Sequence, residues 1–132
     1  MMAEFSFLSE EWIAALAEGG AALPERPGVD GVVRFVMTST PHGKVQFRLV
    51  VADGRISEVL VGREGEAEAM VTWKYADAVA QFSGDLDADV AFMTGRCKVE
   101  NAYARYVFDL RPVFGSLEWN GLLSDLARRT EF

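Results

Sequence analysis

Between Gly20 and Val33 the spacing of apolar residues changes from about 3.6 to about 2, and this change constrains the fold more than any other feature of the chain. Before it, Trp12, Ile13, Leu16 and Ala17 recur at helical intervals after Ser9, a residue suited to cap a helix N-terminus, and Gly19-Gly20 ends the pattern. One helix is expected there. Pro24 and Pro27 mark a connecting loop. After it Val33, Phe35 and Met37 alternate with Arg34 and Thr38, and Val45, Phe47, Leu49 and Val51 alternate with Lys44, Gln46 and Arg48. Each run has one apolar face. Thr40-Pro41-His42-Gly43 has turn chemistry, and Asp53-Gly54 is a two-residue hairpin signal leading into Ile56 to Val61. The expectation is a three-stranded antiparallel meander. A Gly- and Glu-rich link, Gly62 to Glu66, then precedes a fourth strand in which Ala69, Val71 and Trp73 share a face.

From Tyr75 the pattern is helical again, with Ala76, Val79, Ala80 and Phe82 on one side until Ser83-Gly84. Asp87 is expected to cap a short helix, Ala88 to Met93, because its carboxylate can accept from the free first-turn N–H groups. A short basic strand follows, in which Cys97 and Val99 alternate with Arg96, Lys98 and Glu100. Asn101 is placed to cap a helix with Tyr103, Tyr106 and Val107 in its apolar stripe, interrupted by Pro112. A last helix, about Ser116 to Arg129, places Leu117, Leu122, Leu123 and Leu126 mainly on one side, with Arg128 and Arg129 near its negative end. The order predicts an α+β domain over residues 1–132: a five-stranded, mostly antiparallel sheet with helices covering one face. The fifth strand must return to the sheet after two helices, which are then placed to roof its apolar face.

Half of the 132 residues are apolar, enough for one core without a disulfide or a metal. The net charge of -7 leaves no excess of Lys and Arg to neutralise a phosphate backbone or an anionic bilayer, which argues against a nucleic-acid partner and against stable membrane adsorption. A lone cysteine, Cys97, fits a reducing compartment, so a cytoplasmic location is expected. The N-terminal MMAEFSFLSEEWIAAL is acidic where a secretory signal is basic, and no apolar run approaches the roughly 20 residues of a membrane span, so a soluble protein is expected.

Catalytic and metal-binding patterns find little support. His42 is the sole histidine and sits in a turn with no partner nearby, while Cys97 is at an inward strand position that suits a small buried hydrophobe. One His and one Cys do not make a zinc site. Asp85, Asp87 and Asp89 have the spacing that opens a calcium loop, but Val90 and Arg96 stand where that loop needs Gly and Glu. No glycine cluster has the spacing of a phosphate loop, so no metal or cofactor is expected. What stands out is nine Phe, three Trp, three Tyr and five Met, many at positions facing the space between sheet and helices. Core packing and a ligand pocket both account for them, because the two look alike in sequence.

The run from Phe82 to Val99, FSGDLDADVAFMTGRCKV, resembles the sterol carrier protein type 2 family, also called nonspecific lipid-transfer proteins. Leu86-Asp87-Ala88 stands at the family's helix start, Ala91-Phe92-Met93-Thr94-Gly95 at its helix end, and Arg96-Cys97-Lys98-Val99 at its basic strand. The strand order and the Asp53-Gly54 hairpin extend the similarity to roughly residues 30–110. Asn101 replaces the family's usual Gly after the fifth strand, and Ala88 its helix-start Pro. The resemblance implies helices that cover a five-stranded sheet and enclose an apolar tunnel for fatty acyl chains, acyl-CoA or sterols.

On this reading the protein is a non-enzymatic carrier of a lipid or sterol-like molecule. Its ligand would lie among Phe35, Phe47, Leu49 and Val71 of the sheet and Phe82, Phe92, Met93, Tyr103 and Tyr106 of the helices, with Tyr103, Tyr106 or Trp119 as a polar handle. Burial alone, at about 25 cal/mol per Å² of apolar area, can supply several kcal/mol. Two other readings stay open. A small cofactor-free enzyme on apolar substrates would need a carboxylate inside the cavity, with Asp109 and Glu58 as candidates. An accessory protein-interaction domain would expose Phe114 and Trp119 in an apolar patch.

Overall fold

The alternating runs pair as their turns require. In the computed structural model, which describes residues 4–41, 43–62, 65–86, 88–101, 110–114 and 116–132 without the side chains of residues 88, 89, 92 and 111, the strands β2 (Gly31–Thr40), β3 (Gly43–Ala52) and β4 (Arg55–Val61) form an antiparallel meander. Asp53 and Gly54 join β3 to β4 with φ of 50° and 80°, the left-handed pair that a tight hairpin turn demands and that Asp-Gly tolerates. The turn is pinned from outside, since Asp53 accepts from Gly28 N at 3.1 Å and its own N–H donates to Asp30 at 2.9 Å. His42, in the β2–β3 turn, lies outside the described residues.

The fourth strand, β5 (Ala69–Lys74), runs parallel to β2, and β6 (Cys97–Asn101) runs antiparallel to β5, giving the order β4-β3-β2-β5-β6. The sheet is therefore mixed but mostly antiparallel. On the way from β4 to β5, residues 65 and 66 lie at the outer face, where Arg34 donates to Gly65 O at 2.5 Å and Arg48 to Glu66 O at 3.3 Å. Arg34 and Arg48 are cross-strand neighbours, an arrangement that costs stability unless both guanidinium groups find acceptors.

Rows of side chains cross the opposite, inner face. Phe47, Phe35, Val71 and Val99 form one; Val45, Met37, Trp73 and Cys97 form the next. The helices α1 (Glu10–Ala21), α2 (Tyr75–Ser83), α3 (Ala88–Met93), α4 (Arg111–Phe114) and α5 (Leu117–Arg128) accompany this sheet, and Trp12, Ile13, Leu16, Phe82, Leu123 and Leu126 join its inner face in one core. Ser9 and Ser116 cap α1 and α5, each accepting from the backbone N–H three residues on at 3.1 Å.

The structure corrects several expectations. Gly19 and Gly20 do not end α1, which runs to Ala21; they are where other elements approach it. A Cβ on Gly20 would lie 2.5 Å from Ile56 Cβ, and one on Gly19 2.1 Å from Leu122 Cδ1. The inward residues of α2 are Ala78, Gln81 and Phe82, while Ala76 is exposed. Pro112 sits in the four-residue helix α4, and the helix it was expected to interrupt falls outside the described residues. Leu117 is 86 % exposed at the start of α5. The expected cap at Asp87 and the expected helix after Asn101 fall outside the described residues. Two short strands were not foreseen: β1 (Phe5–Ser6) and β7 (Thr130–Glu131) pair in parallel and clasp the two ends of the chain together.

Candidate functional site

The inner face of the sheet is aromatic at its centre because β2, β3 and β5 each place one ring there. Phe35 of β2 meets Trp73 of β5 edge-on at 4.9 Å and Phe47 of β3 at 5.5 Å, geometries that set the positive rim of one ring against the negative face of another. Phe82 of α2 lies 5.7 Å from Trp73, Phe114 of α4 lies 5.6 Å from Phe35, and Trp119 of α5 meets Phe114 edge-on at 5.0 Å. These elements border a partly open pocket of about 20 Å³ lined by Phe35, Trp73, Gln81, Phe82, Phe114, Trp119 and Leu123. A second pocket of about 190 Å³ opens between the C-terminal end of α2 and α5, and Gln81 and Leu123 are walls of both.

Gln81 is the polar exception in this lining. It is 5 % exposed, and its Oε1 has no hydrogen-bond partner among the described residues; the indole N–H of Trp73, also in the wall, has none there either. Both atoms carry the cost of desolvation without a bond to offset it.

The residues singled out from the sequence divide into groups. Phe35, Phe82 and Trp119 line the pocket, whereas Phe47, Leu49 and Val71 are completely buried in the surrounding core. Met93 is 79 % exposed, because it falls at the C-terminal end of the short α3, away from the buried Ala91; it is not placed between sheet and helices. Tyr103, Tyr106 and the side chain of Phe92 lie outside the described residues. Trp73, Gln81, Phe114 and Leu123 complete the lining and were missed as site residues. For Gln81 a signal existed: it lies three residues after Ala78 and directly before Phe82, on the stripe that the helix buries.

The requirements of the two rival readings also meet the structure. Phe114 and Trp119 are each 3 % exposed, so they form no outer patch. Glu58 is exposed, and Asp109 lies outside the described residues. Among the described residues the buried polar ones are Thr40, Gln81 and Thr130, none of them acidic. Cys97 is buried on the inner face, and burial followed by the nearby Asp77 carboxylate pushes its thiol up to about 11. Arg96, just before β6, is tied to Asp77 of α2 at 2.8 Å, while Lys98 pairs with Glu100 of its own strand at 3.5 Å.

The helix-roofed five-stranded sheet is a fold shared with solved sterol carrier structures. A crystal structure of sterol carrier protein 2 superposes with a TM-score of 0.71 at 17 % identity, covering 96 % of this chain and 100 % of that one. A conserved hypothetical protein from Thermus thermophilus gives 0.67 at 14 % identity, with 96 % of each chain covered. Palmitated sterol carrier protein 2-like 2 from Aedes aegypti gives 0.62 at 23 % identity over 82 % of this chain and 96 % of that one. No curated protein matches the sequence. The chain belongs to the SCP-2 sterol transfer family, whose model matches residues 12–101.

Proposed function

We propose that the protein binds an apolar ligand, a fatty acid, fatty acyl-CoA or sterol, between the inner face of the sheet and α2, α4 and α5, and transfers it within the cytoplasm without catalysing a reaction. The observation that carries this reading is the wall itself: aromatic and aliphatic side chains from two strands and three helices converge on one pocket, and no described carboxylate is buried among them. Membership of a sterol transfer family supports it, as does the palmitate carried by the Aedes aegypti neighbour. Sites for drug-sized ligands measure about 300–1,000 Å³. A pocket of about 20 Å³ therefore admits an acyl chain only if its walls part. The shared walls, Gln81 and Leu123, make the cleft between α2 and α5 the natural place for that parting. The acidic net charge of -7 argues against nucleic acid as a partner, and no described helix is long and apolar enough to cross a membrane.

Titration of delipidated protein with an environment-sensitive fluorescent fatty acid, in competition with acyl-CoA and a sterol, tests the reading. Saturable one-to-one binding is expected, with the competition order ranking the ligand classes. Absence of binding by folded protein overturns the carrier function and leaves the family likeness as one of fold.

A further inference from the structure

We propose that Trp73 and Gln81 form a polar anchor for a ligand hydroxyl group, so that apolar alcohols bind in preference to carboxylates and ethers of the same chain length. The inference rests on the carrier reading above and names which headgroup that carrier selects.

Two residues of the pocket lining each carry a buried polar atom without a partner among the described residues. Trp73 Nε1 is a donor only, Gln81 Oε1 is an acceptor, both are buried, and neither has a partner among the described residues. Unpaired buried polar atoms are rare in folded proteins because each keeps its full desolvation cost. Two of them on one pocket of about 20 Å³, otherwise lined by Phe35, Phe82, Phe114, Trp119 and Leu123, mark a place built for a small polar group in an apolar setting. The volume matches a single water-sized group.

Chemistry then selects the group. A hydroxyl accepts from the indole N–H and donates to the amide oxygen, satisfying both atoms at once. A carboxylate accepts from Trp73 but has no proton for Gln81, and an ether oxygen has the same deficit. Position fits as well, because Gln81 also borders the pocket of about 190 Å³ between α2 and α5, the cleft whose parting would bring a ligand to the anchor.

The test uses three probes on one chain, hexadecan-1-ol, hexadecyl methyl ether and hexadecanoate, each displacing a fluorescent alkyl probe from the delipidated full-length protein. The alcohol is expected to bind about tenfold more tightly than the ether or the acid, the order of one hydrogen bond. Gln81→Met should abolish the difference in affinity between the alcohol and the ether. Trp73→Phe should weaken alcohol and ether by the same factor. If Trp73→Phe does not fold by circular dichroism, the alcohol-to-ether ratio in the native protein and in Gln81→Met decides alone. Equal affinity for all three probes overturns the anchor while the carrier function stands; binding of none overturns both. Preference for hexadecanoate that Gln81→Met abolishes means that the amide turns its N–H groups inward, which also overturns the hydroxyl reading.

Discussion

Cys97 shows how little room single residues have on the inner face. Its thiol is pushed up to about 11 by burial first and by Asp77 second. The folded protein therefore holds the proton over a range where the unfolded chain, near the ordinary 9.0, has released it. The stability tied to this proton is complete below pH 9.0 and is lost as pH rises through about 11. Urea unfolding from pH 8 to 11 should show a decline that Cys97→Ala lessens, and native protein should resist iodoacetamide at pH 8 until denaturant is added. Asn101 makes the converse point. It closes β6 with φ of 67°, a conformation that Gly and Asn adopt readily and alanine does not. Asn101→Ala should cost about 1 kcal/mol in urea melts, whereas Asn101→Gly should be close to neutral. Asn101 stands where the resembling family usually has Gly, in keeping with this backbone role. Residues fixed by alternation were legible, as Phe35, Phe47, Leu49 and Val71 all face inward. Met93 was not, because a helix as short as α3 spans too few turns for periodicity to fix its buried face.

At the scale of elements the two glycines of α1 carry the clearest prediction. Gly20 meets the branched Cβ of a completely buried Ile56, which has no rotamer that withdraws that atom. Gly20→Ala should destabilise the protein by about 1–3 kcal/mol despite alanine's better helix propensity. Gly19 meets the tip of Leu122, a half-buried side chain on α5 that can swing aside. Gly19→Ala should therefore fall within about 1 kcal/mol of the native protein, since a gain in helix propensity of similar size offsets the displacement. Thermal melts of the two variants side by side check the pair, and equal losses would mean that α1 shifts as a body. The strands, the hairpin turn at Asp53-Gly54 and the capped helices were legible because each has a local signal. The glycine contacts were not, because they depend on what a distant element brings against the helix. Sequence rules therefore read Gly19-Gly20 as a stop.

For the molecule as a whole, a carrier that closes around its cargo should be steadied by it. With free ligand at about 100 times its Kd, linkage predicts about 2.7 kcal/mol of added stability, so the melting temperature should rise with the concentration of whichever lipid binds. A differential scanning series with fatty acid, acyl-CoA and sterol measures this, and a flat response to all three would count against binding in the interior. The roofed, mostly antiparallel five-stranded sheet could be reached from the order of its elements, but the joining of the ends could not, because β1 and β7 are two residues each and too short to show alternation. That ribbon has a mechanical side. Phe5 stands opposite Thr130 and Ser6 opposite Glu131 in parallel register, so the chain leaves the ribbon at opposite ends of it. A pull on the two ends loads the pair in shear, and its hydrogen bonds must fail together, whereas an antiparallel ribbon gripped at one end would unzip bond by bond.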